Sequence, residues 1–240
     1  MSIVKKSIFL LLFISLSASA FSQFGARVKY NLNTLSGFDE YIEDNTTGNN
    51  DKIFASTIGV GLDYWFRLKN YRIEFLPEVH MGLKSSTSFE DNGAITDFSY
   101  FGFNFNTQIY LFDLKGDCDC PTFSKQGPTL SKGFFINLSP GILYNTKQIS
   151  TELVDPSLKN DQLNFKIGLG IGYDIGISDL FTITPMINYN LAPGLLFGEL
   201  QNVGDISPTP PIIESGLSQL QFQLRFGFRP DYVKSYGRRR

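Results

Sequence analysis

Long stretches of this chain alternate strictly between large apolar residues and polar or small ones. The clearest stretch is residues 162–177, which read QLNFKIGLGIGYDIGI. Its apolar residues, from Leu163 to Ile177, all share one parity, and the other parity is mostly glycine. Because successive side chains of a β-strand point to opposite faces, this pattern predicts one long strand with an apolar face and a small, polar face.

Seven further segments alternate in the same way, so the sequence predicts eight strands. The predicted strands are 24–33, 53–67, 71–84, 98–112, 133–146, 162–177, 181–191 and 217–229. The predicted long polar loops are 34–52, 85–97, 147–161 and 192–216, and the predicted tight turns are Lys69-Asn70 and Ser178-Asp179-Leu180. An even number of strands, with long loops on one side and mostly tight turns on the other, is typical of an outer-membrane β-barrel.

The size of the residues on each parity predicts which face points inward. An eight-stranded barrel is narrow inside, whereas its convex outside has room for large side chains. We therefore expect the glycine-rich parity, as at Gly168, Gly170 and Gly172, to line the lumen, and the Phe, Ile, Leu and Tyr parity to face lipid. A soluble lipocalin-like barrel would have the opposite arrangement. The predicted fold is an all-β, eight-stranded antiparallel up-and-down transmembrane β-barrel with a polar, filled interior.

Aromatic residues near both rims are expected to form interfacial belts, and the belt near the tight turns would include Trp65 and Phe66. Pro77, Pro140 and Pro185 fall inside predicted strands, on the outward parity. Since proline removes a donor from the ladder, we expect a bulge or bend at each of the three.

The N-terminus carries the pattern of a secretory signal peptide. Lys5 and Lys6 precede an apolar run from Ile8 to Leu16 that is too short to span a bilayer as a helix. Cleavage is expected after Ser22, with cleavage after Ala20 as the alternative. The predicted organisation is a signal peptide over 1–22, an outer-membrane barrel over 23–230 and a basic periplasmic tail over 231–240.

Composition and motifs narrow the classes of function. The chain has 240 residues, 42% of them apolar, and a formal net charge of −2, so nothing indicates binding to nucleic acid. The sequence shows no serine elbow, phosphate loop or metal-spaced group of His and Cys residues. We therefore expect no catalytic residue, no cofactor and no metal.

Charged residues collect on the inward parity and are expected to form a network in the lumen. The predicted members are Arg27, Lys29, Asp63, Arg67, Arg72, Glu74, Glu78, His80, Lys84, Lys166, Asp174, Arg225 and Arg229. Because unpaired buried charge is costly, we expect salt bridges that plug and stabilise the barrel. A basic path for an anion is the alternative.

His80 is the only histidine of the chain, and Glu78 shares its parity. This pair would carry the chemistry if the protein were a membrane-embedded enzyme. A catalytic histidine needs a nucleophile or carboxylate beside it, and no recognisable motif accompanies this one. A structural histidine in the lumen is the favoured interpretation.

Cys118 and Cys120 lie in the connection 113–132, which is long although it falls on the side of the tight turns. Three interpretations remain open: a disulfide between the two cysteines, contact with a partner protein or metal, and an unpaired state. A disulfide between residues this close is strained and easily reduced. The connection is in each case a candidate docking surface for a periplasmic partner.

The leader and the alternating strands, together with Pro77-Glu78 in FLPEVHM, GLGIGYDIGI, and a Gln23 start after Ser22, resemble the PorT-like outer-membrane β-barrel family of Bacteroidota. The resemblance implies an exported barrel of OmpA/OmpX-like eight-stranded architecture and a role in a secretion or envelope-assembly complex. The 113–132 connection with its CDC departs from that pattern.

The expected function is that of a small non-enzymatic integral protein of the cell outer membrane, with a structural, scaffold or surface-interaction role. Its expected surroundings are outer-membrane lipid. The alternative is a component of a secretion or envelope-assembly complex that binds a periplasmic partner through 113–132.

Overall fold

The computed structural model describes residues 23–36, 56–68, 71–88, 95–115, 129–151, 154–178, 180–197 and 213–228. Nearly all of these residues lie in strands. The strands are β1 Phe24–Ser36, β2 Ser56–Tyr64, β3 Phe66–Arg67, β4 Ile73–Ser88, β5 Ile95–Ile109, β6 Phe134–Thr151, β7 Val154–Tyr173, β8 Ile175–Gly176, β9 Phe181–Phe197 and β10 Ile213–Phe228. A 3-10 helix, Leu111–Asp113, and a short α-helix, Thr129–Gly133, lie between β5 and β6.

The sheet closes into a barrel. The two-residue strands β3 and β8 continue β2 and β7, so the ten strands form eight barrel strands, which we call staves. Each stave pairs antiparallel with the next. β10 returns to β1, with a register that runs from Phe24 opposite Phe228 to Ser36 opposite Gly216. The predicted eight-stranded antiparallel up-and-down barrel is thus confirmed. We call the end with Phe24 and Phe228 the turn end, and the end with Ser36 and Ile213 the loop end.

Some strands reach further than the alternation predicted. β6 and β7 remain paired as far as Thr151 opposite Val154, so the long loop predicted at 147–161 is wrong. β9 and β10 likewise remain paired as far as Ile213 opposite Phe197. Alternation marks only the part of a strand with one apolar face, whereas backbone pairing continues wherever two strands stay in register.

The three prolines share one position relative to the hydrogen-bond ladder. In each case, the residue after the proline and the residue two positions before it both pair with the preceding strand of the barrel. The proline itself and the residue just before it do not. Two residues are skipped on both partners, so the register is kept and the predicted bulges are absent. The register shifts lie elsewhere, at Gly82/Ser85, Ile149/Thr151 and Ser215/Leu217. The missing N–H of proline accounts for each interruption.

The two faces of the barrel differ as predicted. The outward side chains are apolar and exposed: 78% for Phe165 and 51% for Ile171. The inward side chains are mostly polar and buried. Inward glycines provide room for them, since a Cβ on Gly82 would lie only 2.1 Å from Cε1 of Tyr100, and one on Gly25 would lie 2.7 Å from Nε of Arg225.

An apolar cluster fills the lumen near the turn end. Tyr110, Phe135 and Met186 are buried there and form a hydrophobic core cluster. Trp65, expected in the aromatic belt, is buried as well, and its Nε1 donates a hydrogen bond to Glu74. The belt assignment of Trp65 is therefore wrong, because residue 65 shares the inward parity of Asp63.

We predict that Gly170→Ala lowers the free energy of unfolding by about 1–3 kcal/mol, the usual cost of overpacking. A Cβ at this position would lie 1.8 Å from Oδ1 of Asn188 and 2.5 Å from the backbone oxygen of Ile187, which cannot rotate away. Urea unfolding in detergent micelles measures the effect. Ile171→Ala, on the outward face of the same strand, is the control and should change the midpoint less. An equal or larger effect of the control would contradict this packing.

Candidate functional site

The centre of the lumen contains a buried carboxylate held by two guanidinium groups. Arg225 binds Asp63 in a bidentate manner, with Nη2–Oδ1 at 2.7 Å and Nε–Oδ2 at 2.9 Å. Arg27 donates to the same carboxylate from Nε at 2.7 Å. The three residues lie on β10, β2 and β1, and Arg27 pairs with Arg225 across the strands that close the barrel. The site therefore stabilises the junction between the first and last strands.

The ion-paired network continues to a second carboxylate. Glu78 forms a salt bridge with Lys29, and Nη1 of Arg27 lies 3.6 Å from Oε2 of Glu78. Asn106 donates to Oε2 of the same carboxylate at 2.9 Å. All of these side chains are buried. We call Arg27, Lys29, Asp63, Glu78 and Arg225 the central cluster; its three cations exceed its two carboxylates by one charge.

His80 and Lys166 lie beside the central cluster. Nζ of Lys166 is 3.4 Å from Nε2 of His80, and the imidazole ring packs against the edge of Tyr100, with 5.8 Å between ring centroids. The ring occupies the space above Gly102, whose Cβ would lie 2.4 Å from Cε1 of His80. Neither contact is the nucleophile–base hydrogen bond of a hydrolase.

A second group of charges lies at the turn end, around Arg72. The Arg72 guanidinium donates to Asp113 at 2.5 Å and to the carbonyl oxygen of Lys132, and it lies 3.8 Å from the centroid of the Tyr110 ring. The backbone N–H of Arg72 donates to the carbonyl oxygen of Leu114 at 2.9 Å. One arginine thus binds both ends of the connection between β5 and β6.

The remaining predicted charges do not join the central cluster. Asp174 accepts a hydrogen bond from Thr184 at 2.6 Å, and Glu74 lies close to Arg72, with 4.0 Å between Oε1 and Nε. Arg67 is only partly buried at the turn end. The side chain of Lys84 and all of Arg229, Cys118 and Cys120 lie outside the described residues. The predicted single network is therefore divided into a central cluster, a His80–Lys166 pair and a turn-end group.

Sequence analysis missed a set of buried amides that fills much of the lumen. Gln221 donates to Asn31 at 2.6 Å, Gln219 donates to Asn33 at 2.9 Å, and Asn31 donates to the Tyr100 hydroxyl at 2.6 Å. All of these residues lie on the inward parity, so parity alone could have identified them.

This interior is suited to stabilising a closed barrel. Both buried carboxylates are ion-paired, and Glu78 also accepts a hydrogen bond from Asn106, so the negative charges of the central cluster are compensated. The described residues contain no group of three His, Cys, Asp or Glu side chains placed to bind a metal. Within the same residues, no helix has the length and apolar character needed to cross a membrane.

We predict that Asp63→Asn lowers the free energy of unfolding by about 3–5 kcal/mol, because it leaves Arg27 and Arg225 buried without their shared counterion. Urea unfolding of the purified barrel measures this effect. Asp113→Asn is the matched control: it also removes a carboxylate that pairs with an arginine, but its side chain is 17% exposed, so its loss should cost less. Equal losses for the two variants would show that burial of the central cluster does not set its energetic importance.

Comparisons with known proteins find similarity only at the level of solved structures. No family model matches the sequence, and no curated protein matches it. The attachment invasion locus protein Ail of Yersinia pestis is 10% identical, with a TM-score of 0.45 over 86% of this chain and 99% of Ail. Neisserial surface protein A is 10% identical, with a TM-score of 0.41 over 85% of this chain and 94% of that one. The N-terminal β-barrel domain of Pseudomonas aeruginosa OprF is 10% identical, with a TM-score of 0.35 over 84% and 97%. Similarities this low assign neither a function nor a ligand.

Proposed function

We propose that this chain is a small integral outer-membrane β-barrel whose lumen is filled by its own side chains and whose role is structural, scaffolding or surface-interacting. The observation that carries the proposal is the apolar outer surface. Exposed large apolar residues occur on all eight staves, from Val28 on β1 to Phe222 on β10. An apolar surface of this size is unfavourable in water and needs to be covered, as lipid would cover it. A closed barrel also pairs its backbone N–H and C=O groups internally, which a bilayer requires.

The arrangement of aromatic rings supports a lipid environment. Phe24 packs on Phe228, and Phe112 packs on Phe134, with ring centroids 5.7 Å and 5.6 Å apart. Both pairs lie at the turn end. Tyr144 and Tyr189, both exposed, lie further toward the loop end. Rings near both ends are typical of the interfacial belts of membrane barrels.

The packed lumen supports a role that does not depend on transport. The apolar cluster with Tyr110 and Phe135 fills the turn end, and the central cluster fills the middle. An eight-stranded barrel has an interior just wide enough to be filled by side chains. The surfaces available for function in this proposal are therefore the two ends of the barrel rather than a channel through it.

A specific observation favours a second candidate function. The resemblance to the PorT-like family implies a component of a secretion or envelope-assembly complex, with the connection 113–132 as the docking surface. In the structure, Arg72 binds Asp113, Leu114 and Lys132, which are close to both ends of this connection. A connection with both ends fixed at the rim is suited to presenting Cys118 and Cys120 to a periplasmic partner.

The lipid-facing assignment is tested by Ile171→Arg, which should reduce assembly into membranes. An arginine on the lipid face near the middle of the bilayer costs about 2–4 kcal/mol, and the cost falls to about 0–1 kcal/mol near the interfaces. Asp161→Arg, at an exposed position toward the loop end of the same strand, is therefore the control and should assemble normally. The readout is the fraction of refolded chain that is protected from protease in phospholipid vesicles. Equal assembly of the two variants would contradict a membrane-spanning barrel.

The second candidate is tested by recovering partners from the detergent-solubilised envelope. Cys118→Ser/Cys120→Ser and Arg72→Gln should both lose a defined partner that the wild type retains, because one removes the contact and the other releases the connection. Asp161→Asn, toward the opposite end of the barrel, should retain it. Absence of any partner with the wild type would reject this candidate and leave the structural role.

A further inference from the structure

Lys166 is a buried lysine whose one contact within hydrogen-bonding range, among the described residues, is with another nitrogen. Its side chain lies inside the barrel, with a residue exposure of 5%. Its contact is Nε2 of His80, at 3.4 Å. The salt bridges among the described residues pair Lys29 and Arg27 with Glu78, and Arg225 with Asp63, but none of them includes Lys166. An ammonium buried in this way is costly unless an anion compensates it.

The groups around Lys166 have unused hydrogen-bonding capacity. Asn164, the next inward residue on β7, has Nδ2 buried without a partner. Asn145 lies on β6, opposite Gln162, and neither atom of its buried carboxamide has a partner. Nδ1 of His80 is also buried and unpartnered. Among the described residues, the lumen near Lys166 thus contains an unpartnered amide donor on Asn164 and further unpartnered polar atoms on Asn145 and His80.

The charge balance of the middle of the lumen favours an anion rather than a cation. Among the described residues, the central cluster already has one more cation than it has carboxylates, and Lys166 adds a second. The two carboxylates, Asp63 and Glu78, are bound by Arg225, Arg27 and Lys29, and Glu78 also accepts from Asn106. Glu78 attracts Lys166 at longer range, but neither carboxylate forms a salt bridge with it, so no anion is in contact with its ammonium group.

Apolar side chains border this region on the side of the loop end, which favours a small ligand. Leu143 lies opposite Asn164, and Ala192 and Leu217 lie opposite each other on β9 and β10; all three are buried. Ammonium and amide N–H groups next to apolar carbon suit a monovalent ion with little need for strong hydration. A large organic anion would have to displace these side chains.

We propose that the loop-end half of the lumen binds one small monovalent inorganic anion, of the size of chloride or bromide, with Lys166 as its counterion and Asn164, Asn145 and His80 as neighbouring groups. This site is independent of the proposed function, since it requires neither a partner nor transport. It supplies the charge that the side chains of the central cluster leave uncompensated.

Equilibrium unfolding of the full chain in detergent micelles tests the proposal, because each unfolding event exchanges the contents of the lumen. The midpoint in urea should be higher in sodium bromide than in sodium gluconate at the same ionic strength. The ratio of folded to unfolded protein should rise by about tenfold at a bromide concentration ten times the dissociation constant. Identical midpoints in the two salts would overturn the proposal.

Lys166→Met identifies the site, because it removes the charge and keeps an unbranched side chain only one atom shorter than that of lysine. The difference between bromide and gluconate should disappear in this variant. In the control Lys115→Met, which removes an exposed lysine at the turn end, the difference should persist. A bromide response that survives in Lys166→Met would overturn the assignment to this lysine.

Crystals of the wild type grown in bromide give a measurement that does not depend on whether Lys166→Met folds. An anomalous difference peak within hydrogen-bonding distance of Nζ of Lys166 is the expected result. A map with bromide peaks only on the outer surface of the barrel would overturn the proposal, because it would show adventitious ions and no site in the lumen.

Discussion

The structure depends on the ion pairs that Asp63 makes with Arg27 and Arg225. These residues come from β2, β1 and β10, which are the strands that meet where the chain closes the barrel. Closure abolishes the edges of the sheet and allows the whole outer face to be apolar. It also forces the inward face into a narrow lumen, where each charge needs a partner of opposite sign. The two arginines share one carboxylate because Gly25 and Gly227 leave room for the Arg225 side chain.

The interior is arranged in zones along the barrel rather than as a uniform polar filling. Aromatic and apolar side chains fill the turn end, the central cluster follows, and the His80–Lys166 pair and the unpartnered amides of Asn145 and Asn164 lie toward the loop end. Each zone has a different physical task. In the apolar cluster, Tyr110 and Phe135, which flank the connection between β5 and β6, pack against each other. The central cluster stabilises the closing strands, and the amide zone has the hydrogen-bonding capacity for an ion.

The two ends of the barrel offer different opportunities for function. At the turn end, Arg72 binds Asp113 and Lys132, which lie close to the two ends of the connection that carries the cysteines. At the loop end, β6 and β7 remain paired as far as Thr151 and Val154, so the barrel wall continues into polar sequence. A packed lumen separates these surfaces. The anion proposed beside Lys166 would belong to the stability of the barrel and not to communication between its ends.

The sequence by itself determined the number of strands, their antiparallel order and the direction of each face. These properties follow from a period of two and from the contrast between glycine and bulky residues, which are local features. The same parity also indicates that Trp65 and Tyr100 lie inside the barrel. Only the tertiary structure decided which charges pair: Asp63 and Arg225 are 162 positions apart, and their contact depends on the register of closure and on the space left by glycine. It also decided that Lys166 meets His80 rather than a carboxylate. The parity pattern predicts which side chains line the lumen. The distances between those side chains depend on how the strands are staggered around the barrel.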